Sequence, residues 1–223
     1  VKNALSTYDI YEVLQTFKSI ERDVSHRIKS YYKAQTKHHG LVDVLYYFWV
    51  KFIPCPCCGA RVDLFDGRIF SKHAYPSKHP EAKSLCPACE AVNSITVYQT
   101  EVKCDQCGTS YNPRKGSTGR TNTTCPDCHC TFPLIEAIRT LDHPPHHRMY
   151  AKVILKPDGD KEYLPIDEYD QALYKEASAE LRTGNFAYPQ VAIEPGYNTD
   201  QVLNYNYTHW HQMFNNRQLL CLS

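Results

Sequence analysis

Eight of this chain's eleven cysteines fall into four Cys-x-x-Cys pairs: Cys55/Cys58, Cys86/Cys89, Cys104/Cys107 and Cys125/Cys128. A Cys-x-x-Cys sets two thiolates on one tight backbone turn, where both can grip one cation, and two such turns complete a tetrahedral four-sulfur shell. Four pairs therefore predict two bound metal ions. Taken in chain order, they give one site from Cys55, Cys58, Cys86 and Cys89 and another from Cys104, Cys107, Cys125 and Cys128. The 17 residues between the two pairs of the second site lie within the usual zinc-site spacing, whereas the 27 of the first require a longer finger or an inserted loop. Four thiolates close each shell and leave no position for a reactive water, so both zinc ions are expected to be structural.

Other uses of the thiols fit less well. Disulfides suit a small secreted chain, but no apolar signal segment is present and 223 residues can bury a core without covalent staples. Redox Cys-x-x-Cys motifs come singly. Iron or an iron–sulfur centre takes the same donor set and stays open beside zinc. Cys57, Cys130 and Cys221 are left over. Intact pairs already satisfy the tetrahedral count, so these three, and His129 beside Cys128, read as small buried side chains or bystanders.

At 42% hydrophobic residues, with no run long enough to span a bilayer, the chain reads as globular and cytoplasmic, with no membrane partner. The net charge is only +1, but it is unevenly spread. Residues 1–53 carry 8 basic and 5 acidic side chains, residues 54–135 carry 9 and 7, and residues 136–223 carry 8 and 12. Eight thiolates on two dications add four formal negatives to the middle segment, so any polyanion contact must come from local basic loops. Two loops qualify. One, residues 112–124, carries Arg114, Lys115 and Arg120 with no acid among hydroxyl and amide side chains. The other carries Lys72, His73, Lys78, His79 and Lys83 around Tyr75. The plainer alternative for both is a solvated polar loop.

The pattern around the cysteines predicts an α+β fold: two tandem zinc ribbons flanked by a long N-terminal helix and by a C-terminal hairpin with helices. Apolar residues from Tyr8 to Tyr32 recur at helical spacing, capped by Ser6 and Thr7 and ended by His38-His39-Gly40. Leu41 to Ile53 reads as a strand leading to Cys55. Residues 62–70 read as a hairpin turning on Asp66-Gly67. His143-Pro144-Pro145-His146-His147 reads as a linker, since two prolines prevent the spacing that would converge its histidines on a metal. A hairpin follows from Met149 to Leu164, then a helix from Asp167 to Arg182 closed by Gly184, then a helix opening near Asn216. Three segments result: 1–53 as helix and strand, 54–135 as the metal module, and 136–223 as hairpin and helices.

The combination of Tyr46-Tyr47-Phe48-Trp49-Val50-Lys51, Cys55-Pro56-Cys57-Cys58-Gly59, Gly196-Tyr197-Asn198-Thr199, Trp210 and Phe214-Asn215-Asn216-Arg217-Gln218-Leu219-Leu220 resembles the zinc-ribbon-containing adenine-specific DNA methylases. The opening Val1-Lys2-Asn3-Ala4-Leu5 looks like the continuation of their cofactor domain. The resemblance implies an internal fragment of a DNA methyltransferase of restriction-modification type, lying between the S-adenosylmethionine motif and the catalytic Asp-Pro-Pro-Tyr motif. Neither motif is in this sequence; His143-Pro144-Pro145-His146 has histidines where Asp and Tyr are needed. S-adenosylmethionine is thus expected only in a full-length parent, with the rest of that chain and DNA as partners. No catalytic residue is assigned. On this reading the ribbons grip DNA beside a flipped adenine through Arg114, Lys115, Arg120, Lys72 and Lys78. The alternative is a structural or protein-interaction insertion.

Overall fold

The computed structural model describes residues 9–223. The expected cap at Ser6 and Thr7 and the opening segment 1–5 lie outside the described residues. Helix α1, Ile10–Ser30, starts on Asp9, whose carboxylate accepts from the amides of Tyr11 and Glu12. Its apolar stripe keeps helical spacing, yet Ile10, Val13, Phe17 and Ile20 all remain exposed. The chain then reverses at once. β1, Lys33–Thr36, pairs with the start of β2, Gly40–Pro54, through a turn where Gly40 takes a left-handed φ of 65°. The strand expected from Leu41 is present, but His38-His39-Gly40 is a hairpin turn rather than a helix end.

Eight short strands follow, each tied to a cysteine turn or to the loops between: β3 Arg61–Asp63, β4 Ile69–Phe70, β5 Glu81–Leu85, β6 Val92–Thr96, β7 Val102–Lys103, β8 Ser110–Tyr111, β9 Asn122–Thr124 and β10 Thr131–Pro133. Helix α2, Leu134–Arg139, leads to the long strands β11, His146–Leu155, and β12, Lys161–Pro165. The C-terminal part is α3, Glu168–Thr183, a short α4, Asp200–Leu203, a 3-10 turn at Trp210–Met213, and α5, Asn216–Leu222. Among the described residues no helix is long and apolar enough to cross a membrane.

The main sheet is antiparallel, in the order β1-β2-β11-β12, with β3 on the far end of β2. Two register shifts interrupt the β2–β11 ladder, which is why the buried residues of β2 do not alternate strictly. Met149 to Ile154 are all buried, as expected of a central strand covered on both faces. One face packs Val50, Phe65, Phe70 and Tyr150 toward the metal module, and the other packs Val44, Tyr47 and Met149 toward α3.

That sheet contains a charged residue no periodicity reveals. Lys152 is 1% exposed, and its ammonium donates to Asp167 at 2.7 Å and Asp170 at 2.6 Å, while Tyr47 donates to Asp170 at 3.1 Å. The two carboxylates also cap α3, each side chain accepting from the other's amide. Gly184 follows α3 with φ −82°, so this helix ends without the left-handed turn expected of a C-terminal glycine.

Two sequence expectations fail locally. Residues 62–70 are not a hairpin: β3 pairs with β2 and β4 with β5, so the Asp66-Gly67 turn carries the chain between two sheets. The His143–His147 stretch is not a linker either, because His146 and His147 open β11 opposite Phe52 and Lys51. The hairpin from Met149 to Leu164 is present, with Gly159 left-handed at its turn.

Candidate metal centres

Each Cys-x-x-Cys forms the same backbone turn. The first cysteine's amide donates to the carbonyl five residues on, at Ala60, Ala91, Thr109 and Cys130, and its carbonyl accepts from the residue after the second cysteine. That residue is left-handed in all four turns: Gly59 at 75°, Glu90 at 58°, Gly108 at 73° and His129 at 58°. The first cysteine of each pair is buried and the second exposed, so one sulfur donor of each turn is sealed from solvent.

The turns meet in two tetrads, and the partners are not those of chain order. Cys55 and Cys58 join Cys125 and Cys128, and Cys86 and Cys89 join Cys104 and Cys107; within each group all sulfurs lie within 4.8 Å of one another. The sites are therefore nested. The inner ribbon is inserted between the two halves of the outer one, which explains the long intervals that chain-order pairing left as loops. The shortest interval, the 14 residues between Cys89 and Cys104, carried that signal in the sequence.

The geometry fits a single tetrahedral ion. Sulfur–sulfur contacts are 3.7 Å for Cys55–Cys128, 3.8 Å for Cys58–Cys125, 3.7 Å for Cys86–Cys107 and 3.6 Å for Cys89–Cys104. A tetrahedron with zinc–sulfur bonds of about 2.3 Å has edges of about 3.8 Å. The thiols also show why a cation belongs there. Burial raises the Cys55 thiol, but the amides of Cys57 and Cys58 outweigh it and bring Cys55 down to about 7. Although the Ala60 amide lowers it, Cys58 is pushed up to about 12 through its hydrogen bond with Cys128. In the inner site the Thr109 hydroxyl and amide hold Cys107 at about 6. There Cys89, although the Ala91 amide lowers it, is pushed up to about 12 by burial and by Cys107 and Cys104. Four thiols this close cannot all ionise alone; a dication among them stabilises every thiolate.

The surroundings differ. The outer tetrad stands on a core of Ile53, Val62, Phe132 and Ile138, and the inner one is backed by Ala91 and Tyr111. Cys57 and Cys130 are not bystanders, since they form a disulfide between the two outer turns. Cys221, half-buried, lies away from both tetrads, near Tyr32.

The two basic loops converge. Residues 112–124 do not protrude as a fingertip but fold back on residues 63–68: Thr118 donates to the Phe65 carbonyl at 2.8 Å, Arg68 to that of Pro113 at 2.8 Å, and Ser117 to that of Asp63. Arg114 is anchored by a 2.7 Å bond to the Val97 carbonyl. It shares with Lys72 a cleft of about 460 Å³ also lined by Asp66, Pro76 and Tyr98. Lys115 and Arg120 are exposed on the same loop, and Lys78 is exposed on the facing one, where Tyr75 is also open to solvent. Tyr98, 58% exposed beside these cations, was not singled out in the sequence, because nothing local distinguishes it from the other sixteen tyrosines.

Cysteine turns paired in this way give the chain two zinc-ribbon-like sites, each of which could hold a metal ion. Among known proteins the chain is similar to leucine–tRNA ligases. That of Rickettsia felis is 23% identical over 186 residues, covering 79% of this chain and 22% of the ligase. That of Rickettsia bellii is 23% identical over 208 residues, covering 87% and 25%. The chain thus spans about a quarter or less of the length of these relatives. No family model matches it, and no solved structure matches it significantly.

These relatives overturn the likeness to adenine-specific DNA methylases, and with it the methyltransferase and restriction-modification reading, S-adenosylmethionine and DNA as the partner. Several of the residues behind that likeness serve packing or turns. Arg217 is buried over the rings of Tyr47, Tyr32 and Tyr174, Trp49 lies edge-on to Tyr174, and Thr199 ties the Gly196 turn by donating to the Glu194 carbonyl at 2.6 Å. Motifs of this kind, like the cysteine turns, suit many proteins.

Proposed function

We propose that the chain is a module with two structural zinc ions that binds RNA of the tRNA kind, within or beside an enzyme related to the leucine–tRNA ligases. The observation that carries this is the shared cleft, lined by both Lys72 and Arg114 together with the exposed Tyr98. Two cations lining one cleft suit a phosphate backbone, and exposed tyrosines suit stacking on unpaired bases. Lys78, Lys115 and Arg120 extend the basic surface on either side. With four thiolates each, the zinc ions have no open position and act by fixing the loops. A tRNA partner also fits the expected cytoplasmic location.

The test is fluorescence anisotropy of the zinc-loaded chain with a labelled tRNA across a salt series. Binding should weaken steeply with salt, and Lys72→Gln combined with Lys115→Gln should flatten the logarithmic slope by about 1 to 2, as two lost phosphate contacts require. Absence of binding at low salt, or a slope the double variant leaves unchanged, refutes the proposal.

A further inference from the structure

Cys57 and Cys130 lie outside both tetrads, yet they are joined across 73 residues of sequence with Cα atoms 6.6 Å apart. Their bond links the two turns of the outer tetrad and no others. Cys57 immediately precedes the ligand Cys58, and its amide donates to the sulfur of Cys55 at 3.4 Å. Cys130 closes the opposite turn, its carbonyl accepting from the amide of Cys125 at 2.9 Å. Cys57 is exposed and Cys130 half-buried, so small thiols and disulfides can reach the pair. Among the described residues the inner tetrad has no such cysteine pair; its turns are bridged instead by the Asn93 side chain, which donates to the Ala91 carbonyl and accepts from the Asp105 amide.

We infer that Cys57 and Cys130 form a redox-active pair that sets how firmly the outer tetrad keeps its ion. A four-thiolate site empties stepwise, one turn letting go while the other still holds. With the disulfide in place, the departing thiolates stay close and religate; without it, a loop of more than sixty residues separates the two turns. The chemistry is thiol–disulfide exchange with a low-molecular-weight disulfide such as oxidised glutathione. The Cys57 thiolate attacks one of its sulfurs and releases one glutathione thiolate. The Cys130 thiolate then attacks the Cys57 sulfur and releases the second. Two protein thiols are oxidised to one disulfide, one small disulfide is reduced to two thiols, and each protein thiol's proton passes to a departing thiolate.

The inference rests on the outer tetrad holding zinc, and the inner site supplies an internal control. The full chain is loaded with zinc, equilibrated with oxidised or reduced glutathione, freed of both, and challenged with a chromogenic zinc chelator. Release should occur in two phases, one slowed about tenfold or more by oxidation and the other unaffected. The oxidised chain should lose the mass of two hydrogens and yield a Cys57–Cys130 linked peptide. Cys57→Ser and Cys130→Ser should each bind two ions and release both without redox dependence. Fewer than two ions on the wild-type chain overturns the zinc reading and this inference with it. Two ions with no linked peptide, with redox-indifferent release, or with redox dependence surviving in the serine variants overturns this inference alone.

Discussion

Arg148 grips Glu90 with both terminal nitrogens, Nη2 to Oε1 at 2.6 Å and Nη1 to Oε2 at 3.1 Å, while its Nε donates to the Asp63 carboxylate at 2.9 and 3.0 Å. One guanidinium on the central strand thus binds the rim of the sheet and a turn of the inner metal site together. Glu90 occupies a left-handed position that glycine fills in two sibling turns, so its ion pair offsets a backbone cost of about 1 kcal/mol. Three variants separate these effects. His129→Gly, in the equivalent turn without such a pair, should raise stability by about 1 kcal/mol. Glu90→Gly should be near neutral, since the pair it loses is half open to solvent and worth under about 1 kcal/mol. Arg148→Ala leaves the largely buried Asp63 with only the more exposed Arg61 as its ion-pair partner and should cost about 2 kcal/mol. Denaturant melts of the zinc-loaded chains check the order.

The nested pairing predicts a pattern of metal loss that chain-order pairing cannot give. Cys58→Ser with Cys128→Ser damages one site and should leave one zinc ion per chain, as should Cys89→Ser with Cys107→Ser. Cys58→Ser with Cys89→Ser damages both and should leave none firmly bound. Chain-order pairing demands the reverse for all three combinations. Metal analysis after dialysis decides between them.

What the sequence disclosed follows how local each feature is. The four cysteine turns were legible because each is closed by hydrogen bonds within six residues. Their partners were not, because partner choice depends on how β5 to β8 insert between the outer halves. β2 was legible from its run of valine and aromatic residues, while its neighbour β1, Lys-Ala-Gln-Thr, has almost nothing of a strand's composition. The hairpin expected at Asp66-Gly67 failed for a related reason: the turn dipeptide is present, but β3 and β4 find better partners in β2 and β5. Lys152 and Asp170 were invisible, since a charged residue in a central strand is tolerated only through a carboxylate 18 residues away.

Gly116 should be the least replaceable residue of the basic loop. A Cβ there would lie 1.9 Å from the Phe65 carbonyl oxygen and 2.8 Å from the Asp66 carbonyl carbon, both backbone atoms that cannot swing aside. Gly116→Ala must therefore lift the loop off residues 63–68, at a cost of about 2 kcal/mol or more. The same shift would separate Arg114 from Lys72. The variant should melt earlier and bind tRNA more weakly, whereas Gly119→Ala, whose Cβ meets only the Asn122 carbonyl at 3.6 Å, should do neither. Equal melting of the two variants would show that the loop does not rest on Phe65.

The histidines at the start of β11 should make stability fall in mild acid. Burial holds the imidazoles of His146 and His147 below their ordinary value, with His143 adding to the effect on the first and Lys51 and His146 on the second. A histidine whose folded pKa is depressed is neutral in the fold, and the unfolded chain takes up the proton first. Its contribution is therefore complete above about pH 6.5 and is lost as pH falls through the folded values, at up to about 1.4 kcal/mol per unit for the half-buried His147 and less for the exposed, solvent-screened His146. Acid also protonates the ligand thiolates and releases zinc, which lowers stability in the same direction. The two causes separate by variant: His146→Gln with His147→Gln should show a shallower loss of melting temperature between pH 6.5 and 5 than the wild type, at equal zinc content measured in the same samples. Parallel pH curves for the two chains would assign the whole acid loss to the metal sites.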